Sequence, residues 1–310
     1  MRHNHDRSTE RFGKRLLICM GINIVIPFFQ IIGGLAAGSV ALISDAVHNI
    51  GDFMALLLAF VAHKLGRRSP SLKHTFGIRR VEIFAAVINA ALLGGAAVYI
   101  SIEAVKRLLA PTPVITELVM ALALLGIIGN GLSAWLLHDD SRHSLNARGA
   151  FLHMVGDMLT SVAVLVSALV IRFTDMPWLD PALSLVIVAY ILFNCVYLLR
   201  EATRVLLNAT PKGLDLRTVQ AELEALEGVE SIHYLHVWNI SDQSVALTAH
   251  VVVPDQMISA TEHLAETINK MLNSRFGIDH PVLQFETRTC GRGTLLCEMT
   301  CDEERRCREG

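Results

Sequence analysis

The sequence is poor in charged residues for its length. Charged side chains make up 18% of the 310 residues and hydrophobic ones 52%, whereas soluble domains contain about 25% charged residues. The formal net charge of −2 provides no basic surface for a nucleic acid, so we expect no nucleic-acid partner. The composition is typical of an integral membrane protein, and we expect the lipid bilayer to surround much of the chain.

Cysteine is scarce and unevenly placed. Cys19 and Cys195 lie in apolar segments, and the other four crowd the C-terminal tail at Cys290, Cys297, Cys301 and Cys307. The tail lacks the Cys-x-x-Cys spacing of closed zinc sites, so its cysteines are equally compatible with metal capture between molecules and with no role. The pattern argues against a disulfide framework and favours a reducing compartment for the tail.

Six apolar segments are long enough to cross a bilayer, which takes about 20 helical residues. They are residues 16–37, 40–63, 81–109, 114–137, 146–173 and 178–199. No signal-peptide cleavage pattern follows the first, so we expect it to remain as a span. Only Gly38 and Ser39 separate the first two spans, which predicts an antiparallel helical hairpin.

Basic residues near the span ends indicate the orientation. Most lie on the side of the two termini, in 1–15, 64–80 and 142–148, and the opposite side offers only Lys106, Arg107 and Arg172. The positive-inside rule therefore predicts both termini in the cytoplasm and a multi-pass protein of the inner membrane. We expect residues 1–15 to form a disordered cytoplasmic arm and residues 16–209 to form the transmembrane domain.

From Thr210 onward the pattern changes to that of a small soluble α+β domain, residues 210–288. Helical spacing predicts helices at 214–226 and 259–276, with Ser259 as the N-cap of the second and Gly277 as its end. Alternating residues predict strands at 229–240, 245–253 and 282–286. The expected order is αββαβ, followed by a disordered cysteine-bearing tail at 289–310. So small a domain is more stable as a dimer.

Two pairs of ionisable residues interrupt the apolar spans. His48 and Asp52 lie four residues apart in the second span, and His153 and Asp157 lie four apart in the fifth. This spacing puts each histidine and its carboxylate on one helix face, and ionisable groups at bilayer depth face a partner or a cation. Together the two pairs supply four ligands, the number that a tetrahedral zinc ion needs.

Asp45 lies one turn before His48 on the same helix face. We interpret it either as a hydrogen-bond acceptor that orients the His48 imidazole or as an acidic group that admits ions or protons. The ligand set of two imidazoles and two carboxylates suits zinc, tolerates cobalt or nickel, and holds calcium poorly. Because protons compete with zinc for both ligand types, the sequence also suggests that zinc moves against protons.

Five segments in order carry a family resemblance: Leu42–His48, His74–Gly77, Ser144–His153, Trp178–Pro181 and Val229–Trp238. They resemble the cation diffusion facilitator family, and most of all its bacterial zinc-exporter branch, over residues 16–286. The resemblance implies a homodimer with six spans per copy, a cytoplasmic ferredoxin-like domain, and export of Zn²⁺ in exchange for protons. The family's transport-site positions fall on the same four residues that the spacing selects.

The resemblance also implies a zinc-sensing site in the cytoplasmic domain. The family's positions fall on His233, His250, His280 and Glu286, with His263 on the second helix as a further candidate. Gln284 stands where some relatives carry a ligand. His233 and His236 are three residues apart in one strand, so we expect their side chains to point to opposite faces.

Two other classes of function compete with a transporter. A zinc-dependent intramembrane enzyme would need an open coordination position and a general base, yet the sequence contains no His-Glu-x-x-His motif. A membrane-bound zinc sensor would keep the histidines of the soluble domain without needing ligands inside the bilayer. The four candidate ligands inside the bilayer therefore favour a transporter that is not an enzyme.

Overall fold

The computed structural model describes residues 2–66, 70–141, 145–241, 244–289 and 294–296. The backbone separates into two compact units. One comprises Met1–Val61 with Ala85–Leu199, and the other comprises Ala62–Phe84 with Arg200–Gly310. The first is built from long helices, and the second holds a small α+β domain.

Six long helices account for most of the first unit. They are α1 Arg2–Ala37, α2 Val40–Gly66, α3 Val81–Leu109, α4 Thr116–Ser141, α5 Leu145–Thr174 and α6 Leu179–Leu206. Counting only positions that the structure describes, four of them (α3 to α6) are long and apolar enough to cross a membrane, and α1 contains a shorter apolar stretch, Gly21–Ala37. The predicted fold class, a helical membrane protein, is confirmed, whereas the number of six membrane-spanning helices stays a prediction.

Several helices continue beyond their apolar sequence. α1 begins at Arg2, so the prediction of a disordered arm is wrong for its backbone. α4 extends to Ser141 and α6 to Leu206, past the ends that hydropathy predicted. Arg, Lys, Glu and Leu are all good helix formers, so a helix does not stop where the lipid-facing pattern stops.

α4 packs closely against its neighbours through glycine. A Cβ atom at Gly126 would lie 2.7 Å from Ser161 Oγ of α5 and 2.8 Å from Gln30 Nε2 of α1. A Cβ atom at Gly129 would lie 2.0 Å from Ile26 Cδ1 of α1. Small residues let membrane helices approach in this way, and here they bring α1 and α5 together around α4.

Polar contacts join the starts of α2 and α6. Asp180 accepts hydrogen bonds from the backbone N–H of Val40 at 2.7 Å, from that of Ala41 at 3.2 Å, and from the Ser39 hydroxyl at 2.5 Å. A carboxylate at this position satisfies N–H groups that have no partner within α2. One turn further on, the hydroxyls of Ser44 and Ser184 are 2.6 Å apart.

The second unit contains an αββαβ domain, as predicted. Its elements are α7 Leu216–Glu224, β1 Ser231–Ser241, β2 Ser244–Val252, α8 Ile258–Phe276 and β3 His280–Glu286. The sheet order is β1-β2-β3, with β1 antiparallel and β3 parallel to β2. One sheet face, with Leu247 and Val251 of β2, forms the core with Val219 of α7 and Ile268 of α8.

α7 is two residues shorter at each end than the predicted 214–226, whereas α8 ends at Phe276 as predicted. Asp215 caps α7 by accepting a hydrogen bond from Arg217 N at 3.1 Å, and Gly277 ends α8 with a left-handed φ of 65°. The prediction of Ser259 as an N-cap is wrong. Met257 occupies that position without a side-chain hydrogen bond, and α8 has already begun at Ile258.

A bulge in β1 overturns the predicted facing of its two histidines. Tyr234 has φ 50°, and around it the register shifts so that His233 lies opposite His250 and His236 opposite Thr248. Positions 248 and 250 of β2 point to one face, and cross-strand partners share a face. His233 and His236 therefore lie on the same sheet face, because the bulge adds a residue between them.

Part of the C-terminal tail lies along β1. The backbone N–H of Tyr234 donates to Thr294 O at 3.2 Å, and that of Leu235 to Leu295 O at 2.8 Å. For these three tail residues, 294–296, the structure differs from the expected disorder. The four tail cysteines, Cys290, Cys297, Cys301 and Cys307, lie outside the described residues.

Candidate metal centres

Two helix faces bring the four intramembrane ligands together. On α2, His48 Nδ1 lies 3.4 Å from Asp52 Oδ2, and on α5 His153 Nε2 lies 3.6 Å from Asp157 Oδ2. Across the helices, Asp52 Oδ2 lies 3.5 Å from His153 Nε2, and His48 Nε2 lies 3.8 Å from Asp157 Oδ1. Imidazoles and carboxylates thus alternate around a closed ring, which we call the quartet.

The quartet is compact enough to gather around one metal ion. His48, Asp52 and Asp157 each offer one ligand atom within 4.8 Å of the others, and His153 Nε2 lies 3.5 Å from Asp52 and 3.6 Å from Asp157. The 3.4 and 3.8 Å distances from His48 start from its two different ring nitrogens, of which a metal ion would bind one. Zinc binds nitrogen and oxygen at about 2.0–2.2 Å, so the four side chains need to move closer together to hold it.

A small cavity opens beside the quartet. It has a volume of about 20 Å³ and is lined by Asn23, Asn49, Asp52, Phe53, His153, Met154 and Asp157. This is room for about one water molecule or ion. Within the described residues, Asp52 Oδ2 and Asn49 Oδ1 are buried without a hydrogen bond. A buried carboxylate oxygen whose nearest partners are two imidazole nitrogens at 3.4 and 3.5 Å favours a cation beside it.

The four ligands differ in accessibility. The side chain of Asp157 is 4% exposed and that of His153 is 38% exposed. His153, on the edge of the cavity, is therefore the ligand that an arriving ion meets first, and Asp157 is the most enclosed.

Asp45 is fully buried, but its hydrogen bonds differ from those expected. It accepts from Thr160 Oγ1 at 2.7 Å, from Ser161 Oγ at 3.0 Å and from Gln30 Nε2 at 3.4 Å. Among the described residues, none of its hydrogen bonds comes from the His48 imidazole. Nothing in the spacing of the sequence pointed to Thr160, Ser161 or Gln30 as its partners.

Sequence reasoning also missed an aromatic neighbour of the quartet. The Tyr190 ring of α6 meets the His48 ring edge to face, with centroids 5.8 Å apart. His48 is thereby held between Tyr190 and the His153 ring, whose centroid is 6.5 Å away. Tyr190 lies in an apolar span, and only the helix packing reveals that its ring reaches α2.

A second cluster of ligands lies on the face of the sheet opposite α7 and α8. Glu286 of β3 joins two histidines, with Oε2 at 3.3 Å from His233 Nε2 and Oε1 at 2.6 Å from His250 Nδ1. Their ligand atoms lie within 4.8 Å of one another. Gln284, opposite His250 in the register, donates to Glu286 Oε1 at 2.8 Å, so it positions the carboxylate.

Burial favours the metal-binding form of His233. The residue is 1% exposed, and the loss of water lowers the pKa of its imidazole, with the negative charge of Glu286 opposing that shift. His233 is therefore neutral near pH 7, as a zinc ligand must be.

The structure does not bring His263 and His280 into this cluster. His280 begins β3, six residues before Glu286, which separates them by about 20 Å along the strand. Its ring lies 5.6 Å from that of Phe76. His263 is exposed on α8, and α8 packs on the opposite face of the sheet from His233 and His250.

Comparison with known proteins gives the same assignment for both parts of the chain. Residues 16–207 match the model of the cation efflux transmembrane domain, and residues 211–288 match that of the cation efflux protein cytoplasmic domain.

Full-length relatives agree. The chain is 35% identical to a cadmium, cobalt and zinc/H(+)-K(+) antiporter of Bacillus velezensis, with 98% of each chain covered. It is 36% identical to the metal cation efflux system protein CzcD of Cupriavidus metallidurans, covering 93% of this chain and 90% of that protein. It is 34% identical to the zinc transporter ZitB of Escherichia coli over 94% of both chains. The protein therefore belongs to the cation efflux family, the cation diffusion facilitators, and is a membrane transporter of divalent cations rather than an enzyme.

Proposed function

We propose that this protein exports zinc across the inner membrane through His48, Asp52, His153 and Asp157, in exchange for protons. The observation that carries the proposal is the closed ring of alternating imidazoles and carboxylates, whose neighbouring members lie 3.4–3.8 Å apart. We place both termini and the C-terminal domain, residues 210–288, in the cytoplasm. Export in this direction lowers cytoplasmic zinc and confers metal resistance.

The ligand set explains why zinc can be both bound and released. Two imidazoles and two carboxylates are borderline and hard ligands that suit zinc, and the quartet holds no thiolate that would retain it. Alternating access then requires the same four side chains to face each side of the membrane in turn. The cavity beside His153 provides the approach on one side.

Proton coupling follows from the ligands. Zinc binds neutral imidazole and ionised carboxylate, so a bound proton must leave each group before the metal can bind. Protons that load the emptied quartet on the outer side accompany its return and are displaced inward by the next zinc ion. The pH gradient thereby drives export.

We further propose that His233, His250 and Glu286 bind a regulatory zinc ion in a homodimer. Zinc at this cluster reduces repulsion between the acidic groups of the two copies and draws their C-terminal domains together. If zinc binds more tightly when the two C-terminal domains are close together, its binding shifts the membrane spans toward the inward-facing state. His263 and His280 join such a site only if a second copy supplies them.

Zinc flux into proteoliposomes tests the transport proposal. The native chain should accumulate zinc when the lumen is acidic, and His153→Ala and Asp157→Ala should each abolish the accumulation. His138→Ala is the matched control, since this α4 histidine lies outside the quartet. Undiminished flux in Asp157→Ala would contradict the assigned site, and flux that persists after the pH gradient is collapsed would contradict proton exchange.

A further inference from the structure

We propose that Asp45 is a positioning residue that keeps the quartet closed toward the outer side, and that release of zinc there requires its hydrogen bonds to Thr160 and Ser161 to break. The inference rests on the proposed function. It differs from both roles that the sequence suggested for Asp45, because the residue acts here by joining α2 to α5.

The position of Asp45 relative to the quartet supports this role. Asp45 precedes His48 by three residues on α2, and Thr160 follows Asp157 by three on α5, so the two helices run in opposite directions past the quartet. At 1.5 Å per residue, Asp45 and Thr160 form a layer about 4.5 Å beyond the quartet. This layer lies toward the start of α2 and the end of α5, which the predicted topology places outside.

The cavity lies level with the quartet and not in the Asp45 layer. Asn49 of its lining lies between His48 and Asp52 on α2, and Met154 lies between His153 and Asp157 on α5. Phe53, one residue past Asp52, extends the lining away from Asp45. The Asp45 layer thus contributes no residue to the cavity and closes the quartet on the side toward the start of α2.

The Asp45 layer is built by four helices. The carboxylate of α2 receives the hydroxyls of Thr160 and Ser161 from α5 and the amide of Gln30 from α1. Gly126 of α4 leaves the space for them, since a Cβ atom there would lie within 2.8 Å of both Ser161 Oγ and Gln30 Nε2. A buried carboxylate with three donors is stable only while these helices stay together.

Thr160 connects the layer to the quartet. Its hydroxyl lies 2.7 Å from Asp45 Oδ1 and 2.8 Å from the backbone oxygen of Asp157. Because Asp157 is itself a ligand, separating α2 from α5 at this layer also separates His48 from Asp157. Opening toward the outer side and loosening of the metal ligands are therefore one movement.

Chemical labelling tests the closure without a measurement of zinc transport. In a chain whose six cysteines are replaced, Val164→Cys places a thiol one turn beyond Ser161, at a position that is 1% exposed. Adding Thr160→Val and Ser161→Ala should raise its reaction rate with an impermeant thiol reagent in intact cells at least about fivefold, as the loss of two hydrogen bonds predicts. An unchanged rate would overturn the proposal.

Three further variants separate closure from general damage. Ser167→Ala removes a hydroxyl of α5 that has no partner among the described residues, and it should leave labelling unchanged. Thr160→Ser keeps the hydroxyl and should label like the parent. Gly126→Ala displaces Ser161 and Gln30 from Asp45 and should label fast, so slow labelling there would also overturn the proposal.

Zinc flux of the native chain is measured separately. Absence of flux in the native chain contradicts the proposed function, whereas labelling reports the closure itself.

Discussion

His48 Nε2 of α2 and Asp157 Oδ1 of α5 face each other at 3.8 Å, across the longest side of the quartet. An imidazole opposite a carboxylate makes this a contact that a dication can bridge without crowding like charges. The identity of residue 48 therefore decides both the charge and the softness of the ligand set.

Replacing His48 by Asp should shift metal preference. The quartet then contains three carboxylates and one imidazole, a harder set that holds zinc less selectively and admits manganese more readily. Competition assays in proteoliposomes should show zinc uptake that manganese inhibits more strongly than in the native chain. An unchanged order of inhibition, with intact uptake, would contradict the role of His48 as a ligand.

Stability of the C-terminal domain should depend on the protonation of His233. In the unfolded chain a histidine has a pKa of about 6.5, whereas burial lowers the pKa of His233 in the fold. The unfolded state thus binds the proton more readily, so the domain loses stability as pH falls below about 6.5 and gains none from this group above it.

Fluorescence can follow that transition. With Trp135 and Trp178 replaced by Phe, Trp238 of β1 is the single tryptophan. The midpoint of thermal unfolding should fall between pH 7 and pH 5.5, and less steeply in His233→Asn than in the parent. His263→Asn, at an exposed position, is the control. Equal slopes in parent and His233→Asn would show that His233 is not the group responsible.

Zinc regulation should depend on His250 and not on His263. His250→Ala removes a ligand that contacts Glu286 at 2.6 Å, and the stimulation of transport by zinc in the cytoplasmic compartment should be lost. His263→Ala should keep the stimulation, because α8 lies on the far side of the sheet. If both variants lost it equally, a second copy would be supplying His263 to the site.

Asp180 should contribute to the stability of the helical unit. It is 2% exposed and accepts three hydrogen bonds from the α2 start, so Asp180→Ala leaves buried donors unsatisfied. We expect a loss of about 1–3 kcal/mol, seen as a lower thermal midpoint in detergent. Asp180→Asn, which keeps one acceptor oxygen, should lose less. Asp175→Asn is the control, because Asp175 lies exposed just past the end of α5.

The quartet could be located from the sequence because its signal is local. His48 with Asp52 and His153 with Asp157 have helical spacing within apolar surroundings, and ionisable groups in such surroundings must face a partner. The αββαβ order could also be predicted from the sequence, since the alternation of apolar and polar residues in strands and their spacing in helices are patterns among neighbouring residues.

The features that the sequence could not supply depend on contacts between distant elements. Thr160 reaches Asp45, and Tyr190 reaches His48, only because α2, α5 and α6 pack as they do. A single polar or aromatic residue in a span carries no sequence pattern that indicates which helix its side chain contacts. The same holds for His280, whose position at the start of β3 became clear only from the strand register.

The bulge at Tyr234 was hidden for a different reason. A glycine at this position would have indicated a left-handed backbone conformation. A tyrosine does not, although Tyr234 has φ 50°. The rule that side chains alternate between the two faces of a strand therefore fails in β1 at this residue.

That single inserted residue governs what both sides of β1 can do. If β1 instead ran through Tyr234 as a regular strand, keeping Ile232 in the core and His233 beside His250 would turn Leu235 and Val237 away from the core. The domain can pack its interior and present an imidazole to Glu286 only because the bulge takes up this extra residue.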